Sequence, residues 1–310
     1  MHGNCTNFSI PANSVRFQAS AVVYGLVLAV GLPLNTFSLW ILLRSHGLRS
    51  SCAVLMVNLA ASDLLLALSL PLRVYFYATH QWPFGVATCT TAIMLFRVNI
   101  RTSCIFITLI SVDRFVALVF PLRSRCLRTS ACACKCCAAV WILVTIICIR
   151  EIIKLHSTLN NICNVTNLPC FEYQGDAKGS TIMAVAQATF ILILLVINIV
   201  STVVVIVVLK KRPSAGAAKV NNKMNVILIF AVNMLVFIIF FLPFTLQLLT
   251  FKGENDSEIL RALICLASVN CCLDPLIYYF SLDSFWQDNS KRQMDVGTYS
   301  LSRSNERVLN

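Results

Sequence analysis

Charged side chains interrupt runs of sequence that are otherwise strongly apolar. Arg73 lies in one such run, and Arg97 and Arg101 lie in the next, four residues apart and so on one helical face. A charge at the centre of a membrane-spanning helix costs about 2.5–3.5 kcal/mol on insertion scales, so such residues usually have a function. Guanidinium groups bind phosphate or carboxylate through paired hydrogen bonds. The arginines therefore predict capture of an anion.

A second pair of cations, Arg150 and Lys154, is also spaced by four residues, near the end of a later apolar run. Local pairing is the alternative to anion binding, because Glu151 is placed to neutralise Arg101 or Arg150. Arg97 has the further alternative of extending towards the membrane surface.

The anion hypothesis describes an amphiphilic ligand. Its phosphate or carboxylate meets Arg73 and Arg97, and its apolar chain lies among aromatic and aliphatic side chains of several runs. Those side chains are Tyr75, Tyr77, Phe244 and Leu248.

Asp113 and Arg114 are adjacent opposite charges at the end of the third apolar run. Each is expected to hold the other in a resting state, from which Arg114 can reach a partner inserted between helices. The alternative is that Arg114 only anchors its helix at the lipid head groups. Neither this pair nor the cation pairs resemble a nucleophile with its base or a set of metal ligands, so no enzymatic activity is expected.

The elements that position these residues are predicted to be membrane-spanning helices. Hydrophobic residues make up 58% of the 310 and charged residues 12%, against about 25% charged in soluble domains, and the mean hydropathy is +0.78. A bilayer needs roughly 20 apolar helical residues, and seven runs qualify. They are 20–43, 53–77, 88–120, 133–155, 180–209, 226–250 and 259–280. The net charge of +12 lies mostly between these runs, which favours a membrane protein over a nucleic-acid-binding one.

Basic residues between the runs predict the orientation. Fifteen lysines and arginines fall in the connections 44–52, 121–135 and 210–225 and in the tail, and five fall on the other side. The glycosylation sequons all lie on the less basic side, at Asn4, Asn7, Asn164 and Asn255. We therefore predict a multi-pass plasma-membrane protein with an extracellular N-terminus and a cytoplasmic C-terminus.

Three regions follow from this topology. Residues 1–19 form an extracellular N-terminus without the apolar core of a signal peptide, 20–281 form an all-α bundle of seven transmembrane helices, and 282–310 form a cytoplasmic tail. Leu282, Phe285 and Trp286 predict a short amphipathic helix after the seventh span.

Short motifs appear in order on six of the seven runs. They are Gly31-Leu-Pro-Leu-Asn35, Asn58-Leu-Ala-Ala-Ser-Asp63, Asp113-Arg114-Phe115, Trp141, Phe240-Phe-Leu-Pro243-Phe and Asp274-Pro-Leu-Ile-Tyr278. The ordered set resembles the rhodopsin-like (class A) G protein-coupled receptors over essentially the whole chain. Leu68-Ser-Leu-Pro-Leu-Arg73, His80-Gln-Trp-Pro-Phe84, Cys170-Phe-Glu172 and Asn270-Cys-Cys-Leu-Asp274 are similar to the nucleotide and lysophospholipid branch of that family, above all to its receptors for lysophosphatidic acid.

This resemblance implies a receptor for an extracellular anionic ligand, a lysophospholipid such as lysophosphatidic acid, that activates heterotrimeric G proteins and recruits arrestin. Taken together, the resemblance and the arginines predict a ligand-binding site that comprises Arg73, Tyr77, Arg97, Arg101 and Phe244. The switch that it implies comprises Asp113, Arg114, Phe241, Pro243, Asp274, Pro275 and Tyr278, with the sixth span kinked at Pro243.

Two departures from the family pattern concern the switch. Phe241 stands where the family usually has Trp, and the fifth span lacks the family's usual Pro and Tyr. Coupling efficiency is therefore open, and a non-signalling decoy receptor is one alternative. A nucleotide-type receptor is another. A membrane transporter belongs to a different class and usually shows repeat symmetry and paired broken helices, which this sequence lacks.

The resemblance also implies a bound ion and disulfides. Asp63, Ser103, Asn270 and Asp274 match positions that hold sodium in related receptors, and two nearby carboxylates require either a cation or a shared proton. No other cofactor is expected. Cys89 and Cys170 match the family's disulfide, and Cys5 with Cys163 is a candidate second bridge. For the cluster Cys126, Cys132, Cys134, Cys136 and Cys137, zinc binding, lipidation and plain packing remain open.

Overall fold

Among the residues that the structure describes, seven helices are long and apolar enough to span a membrane, as the sequence predicts. The computed structural model describes residues 14–46, 48–120, 126, 128–160, 168, 170–172, 177–211, 217–250, 254–276 and 278. The helices are α1 Ser14–Ile41, α2 Ser51–Thr79, α3 Gly85–Val119, α4 Ser130–Asn160 and α5 Ala177–Lys211. The sixth, α6, runs through Ala217–Val236, a π-helical turn at Phe237–Phe241 and Leu242–Thr250. The seventh, α7, comprises Glu254–Ser268 and the helical residues 270–276.

The helix ends follow local sequence signals. Ser50 caps α2, because its side-chain oxygen accepts a hydrogen bond from the Ala53 amide at 3.2 Å. The same helix ends at Thr79, where His80 adopts a left-handed conformation with φ of 58° and its amide donates to the Phe76 carbonyl. Tail residues 282–310, with the predicted amphipathic helix, lie outside the described residues.

The third helix is the centre of the bundle, and its buried residues run almost its full length. It packs against α2, α4 and α5, while α1 packs against α2 and α7. Polar bonds reinforce this packing. Asn198 of α5 donates to Thr108 Oγ1 at 2.8 Å, and Asn233 of α6 donates to Ser111 Oγ at 2.7 Å.

The helix α6 is irregular immediately before Pro243, the residue at which the sequence predicts a kink. A proline lacks the amide hydrogen and crowds the carbonyl four residues earlier, so a regular helix cannot continue unchanged through it. The π-helical turn Phe237–Phe241 lies immediately before it, and the Leu242 amide donates to the carbonyl of Phe237, five residues back. Phe241 is fully buried in this turn.

In α7 the irregularity lies before Pro275 rather than at it. The Val269 and Cys272 amides bond to carbonyls three residues back, which tightens the helix there. Since Pro275 has no amide hydrogen, the Cys271 carbonyl loses its helical partner, and Asn35 of α1 replaces it with a bond of 2.7 Å. Tyr278 lies beyond Pro275 and is buried.

Candidate functional site

A cavity of about 280 Å³ opens between the helices at the end of the bundle that carries the Cys89–Cys170 disulfide, hereafter the disulfide end. The disulfide itself is the one that the family resemblance implies, and it is present. Five cationic and two carboxylate side chains line the cavity, an excess of three positive charges. They are Arg73, Arg97, Arg101, Lys154 and Arg261, with Glu151 and Glu172. Such a cavity favours an anion.

Arg73 is the buried cation of this cavity. It is 3% exposed and forms no salt bridge among the described residues, and its Nε has no hydrogen-bond partner there. Three aromatic rings surround the guanidinium carbon, with centroids 4.5 Å away for Phe171, 4.7 Å for Phe96 and 5.4 Å for Tyr24. Ring faces attract a cation but do not neutralise it. Arg73 therefore has unused capacity for an anion.

Arg97 and Arg101 share one carboxylate. Arg101 donates to Glu151 at 2.6 Å and also to Gln187 of α5 at 2.8 Å, while Arg97 donates to Glu151 at 3.2 Å. Local pairing through Glu151 is thus present for Arg101, as the alternative prediction had it, and it extends to Arg97. Arg150 takes no part, since it is exposed and lies outside the cavity lining.

Arg97 differs from Arg101 in exposure. Its side chain is 42% exposed, whereas those of Arg101 and Glu151 are each 8% exposed. Arg97 can turn towards an incoming anion at little cost, whereas Arg101 is fixed between α4 and α5.

A second ion pair lines the cavity and was not predicted from the sequence. Arg261 of α7 forms a paired bond to Glu172, with the Nε–Oε1 distance at 2.6 Å, and Tyr77 donates to the same carboxylate at 3.2 Å. Glu172 follows the disulfide residue Cys170 by two positions, so the disulfide fixes where this carboxylate lies. Arg261 is one of the five basic residues predicted on the less basic side, and nothing in the sequence links it to Glu172.

The remaining cavity wall is largely apolar, with Phe244 and Leu248 from α6 as predicted. The aliphatic and aromatic lining includes Ile93, Phe96, Ile100, Leu155, Phe171, Leu260 and Ile264. Tyr75 is a wrong prediction, because its ring packs against Phe84, with centroids 5.1 Å apart, and lies outside the lining.

A buried polar cluster joins α2, α3 and α7 in the middle of the bundle. Asp63 accepts a bond of 2.9 Å from Asn99, which also donates to Ser103 at 3.2 Å, and Asn270 donates to Asp274 at 3.4 Å. Oδ2 of Asp63, Oδ1 of Asp274 and Oδ1 of Asn270 are buried without a partner in the described part of the chain. Three oxygen atoms without donors suit a small hard cation such as sodium. The cluster is compatible with both predicted alternatives, a cation or a proton shared between the carboxylates, and Asn99 is an additional member of it.

The opposite end of the bundle corrects one expectation. Asp113 is paired not with its neighbour Arg114 but with Arg128, through two bonds of 3.0 and 3.1 Å. Arg114 instead donates to Sγ of Cys52 in α2 at 3.0 Å. Adjacent side chains of a helix point about 100° apart. Arg114 extends towards α2 and Arg128 reaches Asp113 from the segment before α4, although the charge of Asp113 still acts on Arg114.

Other predicted sites lie partly or wholly outside the described residues. The predicted sites wholly outside the described residues are Cys5, Cys163, Asn4, Asn7 and Asn164. Asn255 lies in the first turn of α7, and its side chain is not among those described. Within the described part, no group of three or more His, Cys, Asp or Glu side chains is arranged to hold a metal ion.

The comparisons with known proteins agree with the seven-helix fold. Residues 34–278 match the model of the 7 transmembrane receptor (rhodopsin family). The chain is 37% identical to lysophosphatidic acid receptor 5 of Bos taurus, over 92% of this chain and 83% of the relative. It is 35% identical to lysophosphatidic acid receptor 4 of Homo sapiens, over 91% and 80%. It is also 32% identical to the S-geranylgeranyl-glutathione receptor of Homo sapiens, over 86% and 77%. The motif resemblance, which points to subtype five of the lysophosphatidic acid receptors, is confirmed, as is the prediction of a receptor rather than an enzyme.

Proposed function

Since the chain belongs to the rhodopsin family of seven-transmembrane receptors, we propose that it is a plasma-membrane receptor for a lysophospholipid of the lysophosphatidic acid type and that it activates heterotrimeric G proteins. The proposed orientation puts the disulfide end outside the cell. Basic connections on the other side and sequons on this side support that orientation, and a disulfide suits the oxidising exterior.

The single observation that carries the proposal is the uncompensated cation of Arg73. Glu151 and Glu172 each pair with other cations, and Arg73 remains buried against aromatic rings with its Nε unpaired in the described part of the chain. A buried charge without a counter-ion is costly, and a bound anion would remove that cost. The phosphate of a lysophospholipid supplies such an anion, and guanidinium binds it with two parallel bonds.

The remainder of the cavity suits the rest of such a ligand. Arg97 is exposed enough to turn from Glu151 to the phosphate. Phe244 and Leu248 then face the acyl chain, and burial of an acyl chain contributes about 0.8 kcal/mol per CH₂ group. A nucleotide requires polar partners for its base and ribose, and the apolar wall supplies few.

Signal transfer to the other end would use the irregular parts of α6 and α7. A ligand that contacts Phe244 and Leu248 touches α6 just beyond the π-helical turn and Pro243, where the helix is least able to resist bending. Movement of the lower half of α6 would open a cleft beside Arg114 for a G protein. The ion that Asp63, Ser103, Asn270 and Asp274 would hold adds a positive charge between two carboxylates and so favours the packed resting arrangement.

A decoy receptor is the second candidate, and α5 is the observation that favours it. The described part of α5 after Phe190 contains no aromatic side chain. Arg114, once released, would therefore lack a tyrosine partner on that helix. Recruitment of arrestin through Thr298, Ser300, Ser302 and Ser304 stays a prediction, because these residues lie outside the described part of the chain.

The test is a G protein activation assay in cells that express the chain, challenged with lysophosphatidic acid, a nucleotide panel and S-geranylgeranyl-glutathione. Arg73→Ala should lower the potency of lysophosphatidic acid by at least about thirtyfold, since truncating one partner of a buried charge pair costs about 2–5 kcal/mol. Arg150→Ala is the matched control, because Arg150 is exposed and outside the cavity, and it should respond like the parent chain. Arg73→Lys keeps the charge but not the paired geometry and should fall between.

Surface expression is measured for every variant. Silence of the surface-expressed parent chain to lysophosphatidic acid contradicts the proposed ligand. Ligand binding without G protein activation supports the decoy. Unchanged potency in surface-expressed Arg73→Ala contradicts the binding site.

A further inference from the structure

Several thiols at the start of α4 have no role in ligand binding or in the switch. Cys132, Cys134 and Cys136 are exposed, as is Cys126 before the helix, and none forms a disulfide. Cys137 is buried in the bundle. Packing therefore accounts for Cys137 but not for the exposed thiols.

Two of these thiols lie on a side of α4 that continues as an exposed apolar surface. Cys132, Cys136, Ala139 and Leu143 follow one another at steps of four, three and four residues, which places them on one helical face. Leu143 is 52% exposed, and Ile146 one turn further is 58% exposed. In a chain that spans a membrane, such a surface faces the lipid acyl chains.

The other side of α4 explains why the remaining cysteines differ. Ala133, Cys137 and Val140 form the stripe that packs into the bundle. Cys134 lies outside that stripe, on a flank of α4 that continues to Ala138 one turn later and Trp141 two turns later. The Trp141 indole donates to Asn58 of α2 at 2.9 Å. An alkyl chain that follows this flank from Cys134 would run towards α2, whereas one on Cys132 or Cys136 would lie against lipid.

We propose that Cys132 and Cys136 are S-acylation sites that carry long-chain fatty acyl groups. The acyl donor is a long-chain acyl-coenzyme A. The cysteine thiolate attacks the thioester carbonyl carbon, the new carbon–sulfur bond forms as the bond to coenzyme A breaks, and coenzyme A leaves as the thiol with the cysteine proton. One thioester replaces another, so no oxidant or reductant is needed.

S-acylation requires an accessible thiol near the head groups and a path into the bilayer for the acyl chain, and the start of α4 offers both. The thiols are accessible at the level of Lys135, an exposed cation that belongs at the lipid head groups. The attached chain can then lie along Ala139, Leu143 and Ile146 in the bilayer. The inference rests on the proposed orientation, because acyl-coenzyme A is supplied on the cytoplasmic side, where thiols also stay reduced.

The acyl groups would fasten the start of α4 to the inner leaflet. Arg128, the partner of Asp113, lies only a few residues before Cys132. The modification would therefore hold the segment that carries this arginine at the membrane surface.

The test exchanges thioester-linked acyl groups for a polymer tag of fixed mass in the full chain expressed in mammalian cells without ligand. Free thiols are first blocked, hydroxylamine then cleaves thioesters, and the tag reports each released cysteine as a mass step. The parent chain should show up to two hydroxylamine-dependent steps. Cys132→Ser and Cys136→Ser should each remove one step, and the double variant should remove both.

Two matched variants sharpen the outcome. Cys134→Ser removes an exposed thiol from the same turn, and Cys137→Ala removes a buried one, and both should keep the parent's steps. A parent chain without hydroxylamine-dependent steps overturns the proposal, and so does a double variant that keeps them. Loss of the steps in Cys134→Ser also overturns the choice of face. Since no ligand is used, a failure here is distinct from a failure of the proposed function.

Discussion

Arg114 of α3 is held by Cys52 of α2, with 3.0 Å between its guanidinium nitrogen and the sulfur. Cys52 is 4% exposed, so the bond is shielded from water. Arg114 is thus hydrogen-bonded across the interface between α3 and α2 rather than to the adjacent carboxylate of Asp113. A thiol is a weaker acceptor than a carboxylate, and Arg114 is correspondingly easier to release.

Cys52→Ala should raise basal G protein activation. Removing a net hydrogen bond of about 1 kcal/mol shifts a two-state equilibrium by about fivefold. Ligand-independent activation, normalised to surface expression, measures the effect. Cys104→Ala is the control, because Cys104 is an equally buried free cysteine that bonds to no arginine among the described residues. Equal basal activity in the two variants would contradict the restraint.

Arg128→Ala should lower the melting temperature of the solubilised receptor. Asp113 has a side chain only 5% exposed, and Arg128 supplies both of its bonds. Removing the arginine leaves a buried carboxylate unsatisfied at a cost of about 1–3 kcal/mol. Arg128→Lys retains the charge but only one bond and should lose less. Arg49→Ala removes an exposed cation of a neighbouring connection and should leave the melting temperature unchanged.

Glu151→Gln should increase the potency of an anionic agonist. The glutamate now neutralises Arg97 and Arg101, and the ligand anion must compete with it for Arg97. The amide keeps an oxygen for Arg101 but removes the negative charge. At an effective dielectric of about 20, we expect a potency gain of about tenfold. Concentration–response curves give the shift.

Glu258→Gln is the matched change for that experiment. Glu258 is also paired with an arginine, Arg16, but lies outside the cavity lining. A potency gain in both variants, or a loss in Glu151→Gln alone, would mean that Glu151 does not compete with the ligand.

Removing the disulfide with Cys89→Ala and Cys170→Ala should impair both stability and agonist response. The bridge closes a loop with a sequence separation of 81, for which chain entropy predicts about 4.5 kcal/mol. It also fixes Phe171, which covers Arg73, and Glu172, which binds Arg261. Melting temperature and agonist potency should fall together. A variant with lower stability but parent-like potency would show that the loop does not shape the binding site.

The sequence predicts the seven helices well because apolar run length alone decides whether a segment can span a bilayer. The sequence also predicts an irregularity of α6 at Pro243, and the family resemblance implies the Cys89–Cys170 disulfide. Glu151 was predicted as one possible partner of Arg101, and it is that partner. The pair of Glu172 and Arg261 was not predictable, since these residues are 89 positions apart and meet only through the fold. Asp113 shows the opposite error, because sequence adjacency suggested a pair with Arg114, whereas both hydrogen bonds of Asp113 come from Arg128.

Sodium should raise the melting temperature of the solubilised receptor, and Asp63→Asn should abolish the effect. The partnerless oxygens of Asp63, Asn270 and Asp274 offer the oxygen ligands that a hard cation takes, and a ligand of the native state alone stabilises it in proportion to the logarithm of its concentration. Choline chloride at equal ionic strength is the control, because choline is a bulky quaternary ammonium ion and not a small hard cation that takes several oxygen ligands. The asparagine variant keeps the size of the side chain and removes one charge, so a loss of sodium dependence isolates that charge. A rise in melting temperature that is equal for sodium and choline, or that survives in Asp63→Asn, would favour a carboxylate pair sharing a proton over an ion site.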